Sequence, residues 1–174
     1  MYQSGKNVHV NYFNAATASN QGQENTVAII RNVSEKLPVK WSPMGTYLIV
    51  IKADKIVFYG GASDADSKEM KEVICLNQPK TSAVIMSPCE RYVLTFSPLA
   101  DVVYTIWDFQ KTKMIREFDY CNGEGDDTYK WSQDGNYIAK QFESEIEKQD
   151  GTTRTKQGIS VYSVSLTEVS LLEN

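Results

Sequence analysis

The sequence predicts an all-β chain made of one four-stranded antiparallel unit used about three times, with a partial unit before them. Three observations carry this. The first is an internal period: Trp41-Ser42-Pro43-Met44-Gly45-Thr46-Tyr47, Met86-Ser87-Pro88-Cys89-Glu90-Arg91-Tyr92 and Trp131-Ser132-Gln133-Asp134-Gly135-Asn136-Tyr137 recur at intervals of 45 residues. A period of about 40–45 residues is that of one four-stranded β-propeller blade. The second is turn chemistry. Ser, Pro and a Gly three after the Ser suit a type I turn. Ser42-Pro43-Met44-Gly45 fits in full, the third copy keeps Ser132 and Gly135, and the second puts Glu90 where Gly is expected. The third is that each turn is followed by an apolar run that begins at a Tyr. The fold expected is a β-propeller fragment.

Residues 1–37 read as the strands of a partial preceding blade. Val8–Phe13 alternates weakly, residues 14–25 have loop composition, and Thr26–Val33 is β-branched. The first full blade spans about 38–80. Its strands are Val39–Trp41, Tyr47–Ile51, Ile56–Tyr59 and Val73–Leu76, and the second is apolar enough for burial on both faces. The second blade spans about 81–126, with strands Ala83–Met86, Tyr92–Phe96, Val103–Trp107 and Met114–Phe118. Its third strand ends in Ile106-Trp107-Asp108, which together with the period is a WD-repeat signature. The third blade spans about 127–174, with strands Tyr129–Trp131, Tyr137–Phe142, Ile159–Tyr162 and Glu168–Leu172. The connection between its second and third strands, Glu143–Gly158, is long, acidic first and then basic. It is expected to project as a mobile hairpin or loop on the side opposite the Ser-Pro turns. Its charged residues Glu145, Lys148, Arg154 and Lys156 are the expected partner contacts.

Three blades and part of another fall short of the four to eight typical of a closed ring. An open arc leaves strand edges bare, so the isolated chain is expected to associate with itself or swap an element.

Composition narrows the function. Eighteen Lys+Arg against 22 Asp+Glu leave a net charge of −4, the wrong sign for a domain that grips nucleic acid by charge alone. No apolar run is long enough to cross a bilayer, and the N-terminus reads without a signal-peptide core, so a membrane role is not expected. Cys75, Cys89 and Cys121 have no paired spacing and read as free thiols of a reducing, cytoplasmic compartment, Cys75 as a core hydrophobe. With one His (His9) and no Cys-x-x-Cys, no zinc site is expected. Asn32-Val33-Ser34 matches a glycosylation sequon that chance explains.

Chemistry-bearing motifs are thin. No Gly-x-Ser-x-Gly elbow occurs; Gly60-Gly61-Ala62-Ser63 is a strand end and turn; Asp64-Ala65-Asp66 lacks the later positions of a calcium loop. The inner-strand ends carry Trp41, Met86 and Trp131, with Lys40 and Lys130 nearby, a poor set for catalysis. Tyr47, Tyr92 and Tyr137 are repeat-equivalent, which packing explains. No catalytic residue, cofactor or metal is expected.

The strings Trp41–Leu48, Phe58-Tyr59-Gly60-Gly61, Ser87–Pro98 and Ile106-Trp107-Asp108, continued by Lys130-Trp131-Ser132 and Ile159–Tyr162, resemble the propeller of the b subunit of eukaryotic translation initiation factor 3. The resemblance covers roughly 38–172. It implies a non-catalytic scaffold that holds other subunits of the factor and contacts the protein and RNA of the small ribosomal subunit. The long third-blade insertion departs from the family pattern, as does Val102–Thr105, where the family tends to carry a longer acidic insertion. Many WD blades also hold an Asp–His–Ser/Thr–Trp network. Asp54 and Trp107 match its Asp and Trp, and no His lies in any repeat. The alternatives are another WD-repeat propeller, such as an initiation factor 2A-like scaffold, and a propeller-type enzyme or small-molecule binder with a site at the channel.

Overall fold

A computed structural model describes residues 2–4, 6–11, 26–31, 33, 39–60, 70–98, 103–119, 129–147 and 153–172. Among them every regular element is a strand and every pairing is antiparallel. The chain divides into two compact units, residues 1–80 and 81–174.

The first unit holds two sheets. β1 (Tyr2–Ser4), β2 (Asn7–Asn11) and β3 (Thr26–Ile30) form a three-stranded sheet in that order. β4 (Lys40–Trp41), β5 (Tyr47–Ile51), β6 (Ile56–Gly60) and β7 (Lys71–Leu76) form a four-stranded meander. Alternate side chains of a strand point to one face. Val8, Val10 and Ile30 from the first sheet therefore meet Leu48 and Val50 from the second in one apolar layer. β1 has no counterpart in the sequence reading, because three residues are too few to show a period. Gly60 closes β6, where an added Cβ would press on the Val73 side chain at 3.2 Å.

The second unit holds two four-stranded meanders. One is β8 (Ala83–Met86), β9 (Tyr92–Ser97), β10 (Val103–Asp108) and β11 (Lys113–Asp119). The other is β12 (Tyr129–Trp131), β13 (Tyr137–Glu147), β14 (Thr153–Val164) and β15 (Val169–Leu171). Tyr92, Leu94, Tyr104, Ile106 and Phe118 pack against Tyr129, Ile138, Val164 and Val169. The layer is rich in aromatic rings. Tyr104 lies 4.3 Å from Tyr129 between ring centroids, and Tyr92 stacks on Trp131 at 5.9 Å and 10°. The Arg116 guanidinium sits over Phe118 and Tyr162 and also donates to the Val169 carbonyl, tying β11 to the neighbouring sheet.

The repeated turn is built the same way three times. Gly45, Glu90 and Gly135 each donate their N–H to the carbonyl of the Ser three residues earlier, at 2.9–3.0 Å. Each of these residues has a left-handed backbone, with φ of 76°, 54° and 72°. The Ser N–H donates to the carbonyl of the following Tyr, and the Ser Oγ accepts that Tyr's N–H. A type I turn closed by a left-handed residue is a common hairpin loop. The Ser is thus the element that the spacing repeats, because its hydroxyl satisfies a backbone donor that the turn leaves over.

Ser87 is fully buried, whereas Ser132 is partly exposed. Removing a hydroxyl that satisfies a buried donor costs about 1–3 kcal/mol. Ser87→Ala is therefore expected to lower the unfolding free energy by about 2 kcal/mol. Ser132→Ala is expected to lower it by well under half of that, since water can replace the lost acceptor. Urea titrations of the two variants check the ranking.

Three expectations are sharpened or corrected. Of the hairpin or loop expected over Glu143–Gly158, the described residues show the hairpin: its two ends are paired strand, longer than the strands expected, because β13 and β14 run on past their neighbours. Cys75 is only half-buried, with its Sγ 3.7 Å from Asn77 Oδ1, because it stands on the outer strand of its sheet; Cys121 lies outside the described residues. The WD-type network is reduced to one link. The Trp107 indole N–H donates to the buried Thr95 Oγ1 at 2.9 Å, and Thr95 Oγ1 donates to the Thr105 carbonyl. Asp54 sits exposed in its turn.

Candidate functional site

β13 and β14 pair over eleven positions, from Tyr137↔Ser163 to Glu147↔Thr153. Their neighbours are much shorter: β12 pairs only with 138–140 and β15 only with 162–164. Residues 141–147 and 153–159 therefore leave the sheet as a two-stranded ribbon. At about 3.3 Å per residue, seven paired positions give an arm roughly 20 Å long. It leaves the sheet at the end opposite the Ser132 turn.

The sequence explains both why the arm pairs and why it reads as a hairpin or loop rather than as long strands. Glu143-Ser144-Glu145-Ile146-Glu147 and Thr153-Arg154-Thr155-Lys156-Gln157 alternate with period two but have no continuous apolar face. The register places Glu145 opposite Thr155, Ile146 opposite Arg154 and Ser144 opposite Lys156. Glu143, Glu145 and Glu147 thus hold positions of one parity, one acidic row. Arg154 and Lys156 hold positions of the other, a basic row. Of the four expected contact residues the structure brings three, Glu145, Arg154 and Lys156, onto this arm; Lys148 lies outside the described residues.

The base of the arm is firmly set. Lys140 is buried on β13 with its Nζ 5.6 Å from the centre of the Tyr129 ring, where a cation meets the negative face of the ring. At the far end of the same sheet, Asp134 Oδ1 accepts from the Ser132 hydroxyl at 2.6 Å and from the Asn136 N–H at 3.1 Å, and Oδ2 accepts from Asn136 Nδ2 at 2.8 Å. These donors hold the Asp134 carboxyl below its usual range, the Ser132 bond most. In the aromatic layer, burial pushes the Tyr92 phenol up. Neither the Arg116–Phe118–Tyr162 cluster nor Lys140 over Tyr129 has a signal in the sequence, since both depend on which residues the fold brings face to face.

Among the described residues, no group of three or more His, Cys, Asp or Glu is placed to hold a metal ion. No described helix is long and apolar enough to cross a membrane.

No family model matches the chain. Individual relatives do. The chain is 31% identical over 115 residues to the b subunit of eukaryotic translation initiation factor 3 from Anopheles gambiae, covering 66% of this chain and 16% of that protein. It is 33% identical over 108 residues to the same protein from Xenopus laevis, covering 59% of this chain and 15% of that protein. The chain thus spans about one sixth of the length of these curated relatives. A solved structure described as the crystal structure of the eukaryotic initiation factor shares the fold, with a TM-score of 0.54 and 13% identity over 86% of this chain and 36% of that one. A protein from Desulfotomaculum acetoxidans described as functionally unknown gives 0.50, with 12% identity over 85% of this chain and 58% of that one. Over about two thirds of its length, this all-β chain is similar to one stretch of the b subunit of eukaryotic translation initiation factor 3.

Proposed function

We propose that the chain is a non-catalytic scaffold segment of a protein like the b subunit of translation initiation factor 3, acting in the cytoplasm. It would hold other components of the factor and contact the small ribosomal subunit. The observation that carries this is the similarity to that protein over 66% of the chain, at 31% identity. The physical support is the build: antiparallel meanders with packed aromatic cores present rigid rims and turns. We assign the blades to about 38–80, 81–126 and 127–174, after a partial blade in 1–37. Glu145, Arg154 and Lys156 on the β13–β14 arm, together with Lys148 of the same stretch of sequence, are the proposed partner contacts. An arm with one acidic and one basic row can meet a partner of either sign, and such charges act chiefly on specificity and association rate.

The test is binding of the chain to purified components of initiation factor 3 and to purified small ribosomal subunits. Reversing both basic positions (Arg154→Glu with Lys156→Glu) is expected to weaken binding about tenfold, a change of about 1.4 kcal/mol. The unfolding midpoint should stay in place. Binding that is absent in the unaltered chain, or untouched by the reversal, contradicts the assignment of the arm.

A further inference from the structure

The β13–β14 arm carries three hydroxyl residues, Ser144, Thr153 and Thr155. Register sorts them by charge. Thr153 and Thr155 stand opposite Glu147 and Glu145, in the acidic row. Ser144 stands in the other row, directly opposite Lys156 and diagonal to Arg154, which is paired with Ile146. Directly opposed positions of an antiparallel pair lie about 5 Å apart and diagonal ones about 7–8 Å, so a group built on Ser144 has two cationic positions within reach. Along its own strand the surroundings are acidic. Glu143 precedes Ser144, and Glu145 and Glu147 follow it at one and three residues. A hydroxyl is thus set in a carboxylate-rich strand and met across the ladder by two cationic positions.

The arm forgoes the cross-strand ion pairs that would stabilise a ribbon. In the described register each Glu opposes a neutral residue, Gln157, Thr155 or Thr153, while Lys156 and Arg154 oppose Ser144 and Ile146. The basic row therefore lacks an anion at the positions across the ladder. A dianionic group on Ser144 supplies one. The same group on Thr153 or Thr155 would stand directly opposite a carboxylate, which destabilises. Access is given by the build. The arm extends beyond the pairing of β12 and β15, and Thr153, Thr155 and Gln157 on it are exposed. A two-stranded ribbon is marginal in water, so it opens locally while the sheet stays folded. Opening presents residues 143–147 as an extended acidic segment.

We propose that Ser144 is a phosphorylation site for an acidophilic protein kinase, one that reads carboxylates around the acceptor with basic residues of its own. The Ser144 hydroxyl oxygen attacks the γ-phosphorus of a nucleoside triphosphate. The Oγ–P bond forms, the bond from that phosphorus to the β–γ bridging oxygen breaks, the hydroxyl proton passes to the kinase's base, and the nucleoside diphosphate leaves. Glu143, Glu145 and Glu147 are the recognition residues, and Lys156 with Arg154 receives the product. The phosphate carries a charge of about −1.5 to −2 at pH 7, so it offsets the basic row and favours the closed ribbon. An arm without a basic face loses its anionic partners. That loss rests on the arm's role as a contact element, and the modification itself does not.

The experiment treats the full chain with ATP and a purified kinase of the casein kinase 2 type, and locates the phosphoryl group by peptide mass spectrometry. One phosphoryl group at Ser144 is expected, and none at that position in Ser144→Ala. Glu145→Lys with Glu147→Lys is expected to slow incorporation about tenfold, the effect of losing charge complementarity to the kinase. The melting curve of this variant should match the parent's, since the arm lies beyond the sheet; if it does not, Glu147→Gln replaces it. Amide exchange then reads the product. The amides of residues 154–156 are expected to exchange about tenfold more slowly in the phosphorylated chain, and Lys156→Ala is expected to abolish that gain. A folded chain that stays unmodified at Ser144, or is modified at Thr153 or Thr155 instead, overturns the proposal. Incorporation indifferent to both carboxylates overturns it too, as does a phosphorylated arm whose amides exchange no more slowly. None of these readouts uses initiation factor 3 or ribosomal subunits, so they fail or succeed separately from the scaffold role.

Discussion

Gly135→Ala is expected to lower the unfolding free energy by about 3 kcal/mol, while Gly45→Ala lowers it by about 1 kcal/mol. The two glycines are repeat-equivalent and share a left-handed backbone, at φ 72° and 76°. A side chain in that conformation costs about 1–2 kcal/mol at either position. They differ in what lies beyond. A Cβ on Gly45 meets nothing within 4 Å. A Cβ on Gly135 falls 2.3 Å from Cys89 Sγ and 3.5 Å from Ser87 Cβ. Cys89 belongs to the previous copy of the turn, so the two turns touch. Its Sγ is also 3.4 Å from Ser87 Oγ, which limits how far it can swing aside. Relief of the clash therefore needs movement of a buried turn. Adding Cys89→Ala to Gly135→Ala should recover part of the loss, and urea titrations of the four chains read out the coupling. Equal losses at Gly45 and Gly135 would show that the second and third turns do not touch.

Ile106→Ala is expected to cost about 3 kcal/mol. Ile106 is fully buried in the aromatic layer between β8–β11 and β12–β15, where Leu94 and Tyr104 share its face. Truncating a buried Ile removes transfer energy and leaves a cavity that large rings cannot readily collapse into. By contrast, Ile159→Ala, on the exposed equivalent of that face, should change stability by less than about 0.5 kcal/mol, measured on dilute protein. A similar loss at both positions would contradict the assignment of one face as core and the other as open.

Much of the fold was legible because hairpin turns are local. Ser42, Ser87 and Ser132 with their following tyrosines announce the period, and the period sets the sheets. The apolar strands Tyr47–Ile51 and Tyr92–Ser97 follow from composition alone, since both faces of each are buried. What stayed hidden depends on long-range geometry. The β13–β14 arm has no apolar stripe, so its charge-rich alternation reads as hairpin or loop, and the extent of its pairing is not legible. Glu90 sits where glycine was expected and still adopts a left-handed φ of 54°, because the surrounding hairpin dictates the backbone. The Tyr92–Trp131 stack and the contact of Arg116 with Tyr162 join residues tens of positions apart, and no spacing in the sequence reveals them. The four expected contact residues came from charge and position in the chain. The structure adds the register that sorts Glu145 from Arg154 and Lys156.

The most direct measurement is photo-crosslinking from the arm itself. A photoreactive residue at Thr155, exposed and paired with Glu145, would be irradiated with purified initiation factor 3 and small ribosomal subunits, with the exposed Lys113 as the control position. A scaffold that works through the arm gives a defined adduct at Thr155, with another polypeptide of the factor, a ribosomal protein or ribosomal RNA, and none at Lys113. No adduct at Thr155, or the same diffuse labelling at both positions, would contradict a partner-contact role for the arm.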